Sequence, residues 1–125
     1  MMGRLRDATP SNRDASLTIQ RELLQKVRSR INGARLALKR ASGAEHPGTV
    51  LARLTEFRRA HREIDELCME LAGVAILGGM TATEVSKATG ISASTLTRRV
   101  PKSLTALRGR HITRDATAPH GWRER

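Results

Sequence analysis

Residues 81–101 read TATEVSKATGISASTLTRRVP, and they begin with the signals of a short helix and a turn. The run Thr81-Ala82-Thr83-Glu84 has the form of a capping box. In such a box the Thr81 hydroxyl accepts from the third helical residue, while Glu84 reaches back to the cap. The capping box therefore predicts a helix that runs to about Ala88. The next residues, Thr89-Gly90-Ile91, predict a turn, because glycine adopts a positive φ without steric cost.

A second short helix is predicted directly after this turn. Ser92 is a favoured N-cap residue, and the helix runs from Ala93 to Val100. Pro101 ends it, because the residue before a proline is pushed out of the helical region. Gly78 and Gly79 separate the pair from a longer helical segment upstream.

The run Gly90–Pro101 resembles the DNA-binding helix-turn-helix of Hin-type invertases and resolvases, and of small bacterial or phage regulators. The match covers about residues 64–103 if the end of the preceding long helix supplies the first of three helices. Arg99 departs from the pattern, which commonly has an apolar or aromatic residue there. The recombinase catalytic domain has no counterpart, so recombinase activity is not implied. The inner face implied by the resemblance consists of Val85, Ile91, Leu96 and Val100.

The same resemblance implies which residues meet DNA. A helix fits the major groove of B-DNA, and side chains near its N-terminus reach base edges. Base contacts are assigned to Ser94, Thr97 and Arg98, of which arginine can grip guanine O6 and N7 together. Phosphate contacts, which position the protein without reading sequence, are assigned to Thr83, Lys87, Ser92, Arg99, Lys102 and Ser103. The alternative is a solvated helical corner with surface arginines.

Two long helices are predicted upstream, over residues 11–40 and 49–78, from apolar residues spaced alternately by three and four. Both follow the heptad rule of coiled coils. The predicted seam of the first helix is Leu17, Gln20, Leu24, Val27, Ile31, Ala34 and Leu38. The predicted seam of the second is Val50, Leu54, Phe57, His61, Ile64, Cys68, Leu71 and Ala75.

The connection between these helices, residues 41–48, contains two glycines and a proline. A connection this short predicts an antiparallel helical hairpin. Charge favours the same pairing, since folding the chain near residue 45 places basic residues of the first helix beside acidic residues of the second. Further apolar side chains lie beside both seams, and one partner helix cannot cover them. We therefore expect residues 11–78 to form a homodimer.

Composition indicates the class of partner. The chain has 125 residues and a net charge of +11. Residues 1–40 and 81–125 are strongly basic, whereas residues 41–80 hold four basic and six acidic side chains. An excess of this size favours a polyanion such as nucleic acid. Two aromatic residues among 125 disfavour binding of single strands by base stacking. No apolar run is long enough for a membrane span or a signal peptide, which predicts a cytoplasmic location. Within the cytoplasm, a DNA-binding protein is expected at the nucleoid.

The two ends of the chain lack a helical period. We expect a disordered N-terminus over residues 1–10 and a basic flexible tail over residues 104–125. The tail is either a solubilising end or an arm that adds phosphate or minor-groove contacts. On this basis a chain that ends at Arg108 would keep its helices and its thermal transition.

Catalytic and metal-binding patterns are absent from the sequence. The four histidines have no ligand spacing, and His61 and the single cysteine, Cys68, fall on the predicted seam, where packing is the expected role. We therefore expect no enzyme activity, no cofactor and no metal.

The sequence thus predicts an all-α protein, with an antiparallel helical hairpin followed by a C-terminal tri-helical helix-turn-helix over residues 79–103. The function it favours is sequence-specific binding of double-stranded DNA by a dimeric transcriptional regulator of phage or plasmid type. Two alternatives remain open. One is an oligomeric assembly protein that touches DNA, such as a packaging or partition adaptor. The other is a non-specific nucleoid-associated protein.

Overall fold

A computed structural model describes residues 6–125 of the chain. It is mostly helical and contains, in chain order, α1 (Pro10–Lys39), α2 (Pro47–Leu77), α3 (Ala82–Thr89), α4 (Ala93–Arg99), α5 (Lys102–Thr105), β1 (Ile112–Arg114), a 3-10 turn (Pro119–Gly121) and β2 (Trp122–Glu124). The residues group into two compact units. Unit 1 contains residues 6–22 and 69–125, and unit 2 contains residues 23–68.

The two long helices are confirmed, with ends within two residues of the predicted ones. The start of α1 is fixed by two reciprocal bonds: the Thr9 amide donates to Asn12 Oδ1 at 3.0 Å, and the Asn12 amide donates to Thr9 Oγ1 at 3.1 Å. Pro10 follows at the first helical position, where a missing N–H costs nothing. The stretch Thr9-Pro10-Ser11-Asn12 is therefore an N-terminal capping signal that the sequence analysis had not used.

Unit 2 is a pair of helical segments from α1 and α2. The charge pairing predicted for it is confirmed at one position, where Arg30 Nε lies 2.7 Å from Glu63 Oε2. Its buried apolar side chains in α1 are Leu23, Ala34 and Ala37. Two of these three are alanines, so the interior of this unit is thin.

The predicted seam of α1 is wrong at every second position, where a large aliphatic side chain is exposed. Leu17, Leu24, Ile31 and Leu38 are exposed by 61, 37, 50 and 37%. In unit 1 the buried face is instead the run Asn12, Ala15, Ser16 and Ile19. The reason is the close approach of α1 to the end of α2. Ser16 Oγ donates to the Val74 carbonyl at 2.9 Å, and a Cβ at Gly78 would lie 2.5 Å from that hydroxyl oxygen. Small residues, not leucines, permit this approach.

The predicted seam of α2 changes in a similar way. Leu54 is 42% exposed, and His61 and Cys68 are exposed as well, so Cys68 is not the buried small apolar residue that was expected. The part of α2 in unit 1 has buried residues on several sides of the helix, because more than one element packs on it. These residues are Met69, Ala72, Gly73, Val74, Ile76 and Leu77.

The predicted flexible tail over residues 104–125 is also wrong. Leu104 and Ile112 are essentially fully buried, and β1 pairs antiparallel with β2 in the register Ile112↔Glu124 and Arg114↔Trp122. Pro101 and Leu104 lie against Gly73, where an added Cβ would come within 3.2 Å of the proline ring. The tail thus adds a small sheet to a chain that was predicted to be all-α. Strands of three residues are too short to show an alternating pattern in the sequence.

The expected disorder of residues 1–10 can be compared only from Arg6 onward, since residues 1–5 lie outside the described part of the chain. Ala8 is buried. The Arg6 carbonyl accepts from Arg108 Nε at 2.7 Å. Residues 6–10 are therefore packed in unit 1, contrary to the prediction.

Candidate nucleic-acid interface

The first short helix begins as predicted. Thr81 Oγ1 accepts from the Glu84 amide at 3.1 Å, and the Thr81 amide donates to Glu84 Oε1 at 3.1 Å. The helix ends at Gly90, which has a φ of 77° and donates its amide to the Ser86 carbonyl at 2.8 Å. A side chain with a Cβ is strained at this φ, so glycine fits the turn.

The second short helix, α4, is held at both ends by local bonds. Ser92 Oγ accepts from the Thr95 amide at 3.2 Å and donates to Thr95 Oγ1 at 2.8 Å. Val100 is the C-cap, in extended conformation before Pro101, and its amide donates to the Leu96 carbonyl at 2.9 Å. The helix has the predicted start and ends one residue before the predicted end.

The inner face of α3 and α4 is an apolar cluster against the end of α2. Val85, Leu96 and Val100 are 3, 0 and 5% exposed, and Ile91 packs beside them, as predicted. From α2 the cluster receives Met69, Ala72 and Ile76. This packing fixes which sides of the two short helices face solvent.

The three residues predicted to contact bases all lie on α4. Ser94 and Arg98 are exposed and stand four residues apart, which places them on one face of the helix. Thr97 is half-buried, and its hydroxyl donates to the Ala93 carbonyl at 2.9 Å. Arg98 is thus the long exposed cation of this trio, while the Thr97 hydroxyl proton is used within the helix.

The residues predicted to contact phosphate are all exposed, but two of them already have structural roles. Ser92 caps α4, as described, and its hydroxyl lies 3.3 Å from Ser94 Oγ. Lys102 Nζ donates to the Thr97 carbonyl at 2.9 Å, which satisfies a carbonyl in the last turn of α4. The others on exposed positions are Thr83, Lys87, Arg99 and Ser103.

Arg108 has a role that the sequence analysis missed. Its Nη1 donates to the Ile76 carbonyl at 3.0 Å and to the Met80 carbonyl at 2.7 Å, and its Nη2 lies 3.4 Å from the Gly79 carbonyl. The guanidinium therefore satisfies the carbonyls at the end of α2, and its charge complements the helix dipole there. No local signal marks this residue, because its partners lie about thirty positions away.

Asn12 is a second missed residue. It is fully buried, its Nδ2 donates to the carbonyls of Leu107 (3.1 Å) and Arg110 (2.9 Å), and its Oδ1 also accepts from the Gly109 amide at 2.9 Å. The side-chain amide thus uses both donor hydrogens and two acceptor positions, which is the full satisfaction that a buried amide requires. It ties the start of α1 to the turn before β1.

Three further arginines of residues 104–125 have side-chain partners on the β-hairpin. Arg110 Nη1 lies 3.3 Å from Glu124 Oε1, and Arg123 Nε lies 3.0 Å from Asp115 Oδ2. The Arg114 guanidinium lies 5.5 Å from the centre of the Trp122 ring. Hydrogen bonds from Thr117 lower the pKa of Asp115, and Arg123 adds to this effect. These partners reduce the charge that the hairpin offers to DNA.

Within residues 6–125, no helix has the length and apolar character that a membrane span needs. The same residues contain no group of three or more His, Cys, Asp or Glu side chains placed to hold a metal ion. Comparisons of the chain with known protein families, with curated proteins and with solved structures found no match.

Proposed function

We propose that this protein binds double-stranded DNA in a sequence-specific way, with α4 in the major groove, and acts as a transcriptional regulator. The observation that carries the proposal is the division of α4 into two faces. Leu96 is fully buried against the end of α2, while Ser94 and Arg98 face solvent. A short, capped helix with a polar outer face has the dimensions that the major groove accepts.

The arrangement of α3 and α4 supports the same proposal. The two helices are joined by the turn at Gly90 and pack on the end of α2, and this packing supports a tri-helical helix-turn-helix. Charge gives independent support, because residues 81–103 hold four basic side chains and one acidic side chain. Counterion release by such residues provides a large share of the affinity of DNA-binding proteins.

The test separates reading of bases from contact with phosphates. A preferred site is first selected from a random pool of duplex DNA. We then expect Arg98→Ala to weaken binding to that site by about 1–3 kcal/mol per copy of α4, and to relax the preference at one base position. Binding to scrambled DNA changes much less.

Lys87→Ala is the matched control, because Lys87 is exposed on α3 and is proposed to meet phosphate. It should weaken selected and scrambled DNA alike, and lower the salt slope by about one ion per copy. If Arg98→Ala and Lys87→Ala behave alike, base reading by Arg98 is wrong. If the pool yields no preferred site, the protein binds DNA non-specifically, as a nucleoid-associated protein would.

A further inference from the structure

Unit 2 carries a series of large aliphatic side chains that its own two helices leave in solvent. On α1 these are Leu24, Ile31 and Leu38, at a strict spacing of seven residues, with 37, 50 and 37% exposure. Leu17 precedes them at the same spacing in the sequence. A strict period of seven is the repeat with which a helix packs along another helix in a coiled coil.

The facing segment of α2 carries a matching series. Leu54 and His61 also stand seven residues apart, and both are exposed, with Leu54 at 42%. Phe57 and Ile64, again seven apart, are half-buried. Between the two helices lies an open groove of about 480 Å³. Its lining is Ile31, Ala34, Arg35, Leu38, Phe57, His61 and Ile64.

Two helices cannot close this groove by themselves. Each heptad seam consists of two alternating sets of side chains. The hairpin buries one set between its own two helices, and Ala34 on α1 belongs to that set. The other set is the exposed series. A soluble protein rarely leaves a contiguous apolar surface of this kind uncovered, and a 46-residue helical pair is too small to have a full core of its own.

We propose that the groove of unit 2 is the docking surface for a second copy of this chain, and that the two hairpins form a four-helix bundle. The exposed series on α1 and α2 have the same period, so one surface can pack on its own copy around a two-fold axis. The α1 series of each copy then packs on the α2 series of the other, and both sets of each seam are buried.

Charge selects this pairing over α1 against α1. Residues 24–40 contain six basic and no acidic side chains, so two α1 segments side by side would repel each other. Residues 49–66 contain four acidic and four basic side chains, so this segment has no net charge. Placing α1 of one copy beside α2 of the other therefore avoids that repulsion. A nucleic-acid occupant is disfavoured, because five of the seven side chains that line the groove are aliphatic or aromatic hydrocarbons and only Arg35 carries a fixed positive charge.

The first measurement is the mass of the full chain by sedimentation velocity across a range of concentrations. We expect twice the mass of one chain at tens of micromolar, and a thermal transition that rises with protein concentration, as linkage requires of a dimer that is held together by folding. A monomer at these concentrations overturns the proposal. A mass above the dimer also overturns it, and favours the assembly-protein alternative.

The second measurement locates the surface. Ile31→Glu places one carboxylate per copy in the groove, so a two-fold dimer buries two of them, and we expect its dissociation constant to rise by roughly a hundredfold or more. Leu51→Glu is the matched control, because Leu51 is 62% exposed and lies outside both series. It should leave the mass and the transition unchanged.

If Ile31→Glu and Leu51→Glu change the dissociation constant of the dimer equally, the groove is not the dimer surface. Should Ile31→Glu lose its helical signal entirely, the concentration dependence of the wild-type transition and the Leu51→Glu control still decide the question. The proposal is independent of DNA binding. A dimer that fails to bind DNA refutes only the proposed function, and a monomer that binds DNA refutes only the dimer.

Discussion

Unit 1 and unit 2 are built from the same two long helices, yet they differ in how completely those helices are covered. The largest fully buried side chains of the described chain, which include Leu77, Leu96 and Ile112, all lie in unit 1. Unit 2 instead contains six of the seven large hydrophobic side chains that are exposed within residues 6–125. A heptad pattern therefore predicts that a face is apolar, but additional elements determine whether that face becomes a core.

In unit 1 those additional elements are the two short helices and the chain after Pro101. They surround the end of α2, which is why Met69, Ala72, Val74 and Leu77 are buried around the helix. In unit 2 no further element of residues 23–68 is present beyond the two helical segments and their connection. This difference predicts how substitutions of the same residue type change the free energy of unfolding. The change should be large in unit 1 and small in unit 2, provided that the residue in unit 2 lies outside the groove.

The largest effect is expected from removing residues 109–125. This deletion removes Ile112, which is 1% exposed, and it removes the Gly109 amide and the Arg110 carbonyl that bond Asn12. Together these losses should cost roughly 5 kcal/mol or more, a large share of the stability of a small domain. We expect the thermal transition of unit 1 to be lost or strongly lowered in circular dichroism.

A chain that ends at Glu124, and so keeps both strands, is the control for this deletion and should unfold like the full chain. The expected result reverses the prediction made from sequence, that a chain ending at Arg108 keeps its transition. An unchanged transition after deletion of residues 109–125 would show that the buried contacts of Ile112 and Asn12 contribute little.

The next effect compares two leucines. Leu96 is fully buried in the cluster beneath α4, whereas Leu51 is 62% exposed on α2. Leu96→Ala should lower the free energy of unfolding by about 2–5 kcal/mol, because it removes buried apolar atoms and leaves a cavity. Leu51→Ala should change it by less than about 0.5 kcal/mol. Urea titrations of both variants measure the difference, and similar midpoints would contradict the contrast between the units.

A third comparison uses two asparagines of α1. Asn12 is buried and forms five hydrogen bonds through its side chain and amide, whereas Asn32 is exposed. Asn12→Ala removes the oxygen that accepts from the Thr9 and Gly109 amides, and one of the donors to the Leu107 and Arg110 carbonyls. It should cost on the order of 2 kcal/mol. Asn32→Ala should be neutral or slightly stabilising, because alanine has the higher helix propensity. The contrast fails if chemical denaturation shows equal stability for both variants.

Local signals in the sequence were sufficient for the short helices. The capping box at Thr81, the turn at Gly90 and the cap at Ser92 each depend on residues within four positions, and the structure contains all three. The inner face of α3 and α4 was predicted from the resemblance to the helix-turn-helix family, and Val85, Leu96 and Val100 are buried there.

Long-range contacts could not be predicted in the same way. Arg108 bonds carbonyls about thirty positions upstream, and Asn12 bonds residues almost one hundred positions downstream. Neither residue differs in its local sequence from a solvated polar side chain. The choice of buried face on α1 also depended on such a contact, since the approach of Ser16 to Val74 rotates the packed side away from Leu17.

The same reasoning applies to the predicted DNA-contact residues. Ser94 and Arg98 were placed on the outer face by the family resemblance, and both are exposed. The engagement of Lys102 with the Thr97 carbonyl could not be predicted, because it requires the chain to turn at Pro101. Basic residues of the tail likewise looked free in the sequence, although Arg110 and Arg123 pair with the acidic residues of the β-hairpin.

The smallest effect is expected at the exposed end of the β-hairpin in unit 1. The Thr117 hydroxyl donates to Asp115 Oδ1 at 2.7 Å and the Thr117 amide donates to the same oxygen at 2.9 Å, which lowers the pKa of Asp115 below its ordinary value of 3.8. A lowered pKa in the folded state means that the carboxylate stabilises the fold above the ordinary pKa. That contribution is lost as the pH falls through the lowered pKa.

We therefore expect Asp115→Asn to be slightly less stable than the wild type at neutral pH. The two should converge once the pH has fallen below the lowered pKa of Asp115, because the carboxyl is then protonated in both folded and unfolded chains. Titration of the Asp115 carboxyl by NMR checks the direction directly. Thr117→Val removes the hydroxyl donor while keeping the shape of the side chain, so it should move the pKa of Asp115 back toward its ordinary value. An unshifted pKa in the wild type would mean that the turn between β1 and β2 does not hold Asp115 against Thr117 in solution. Unit 1 would then be ordered only as far as the buried contacts of Ile112.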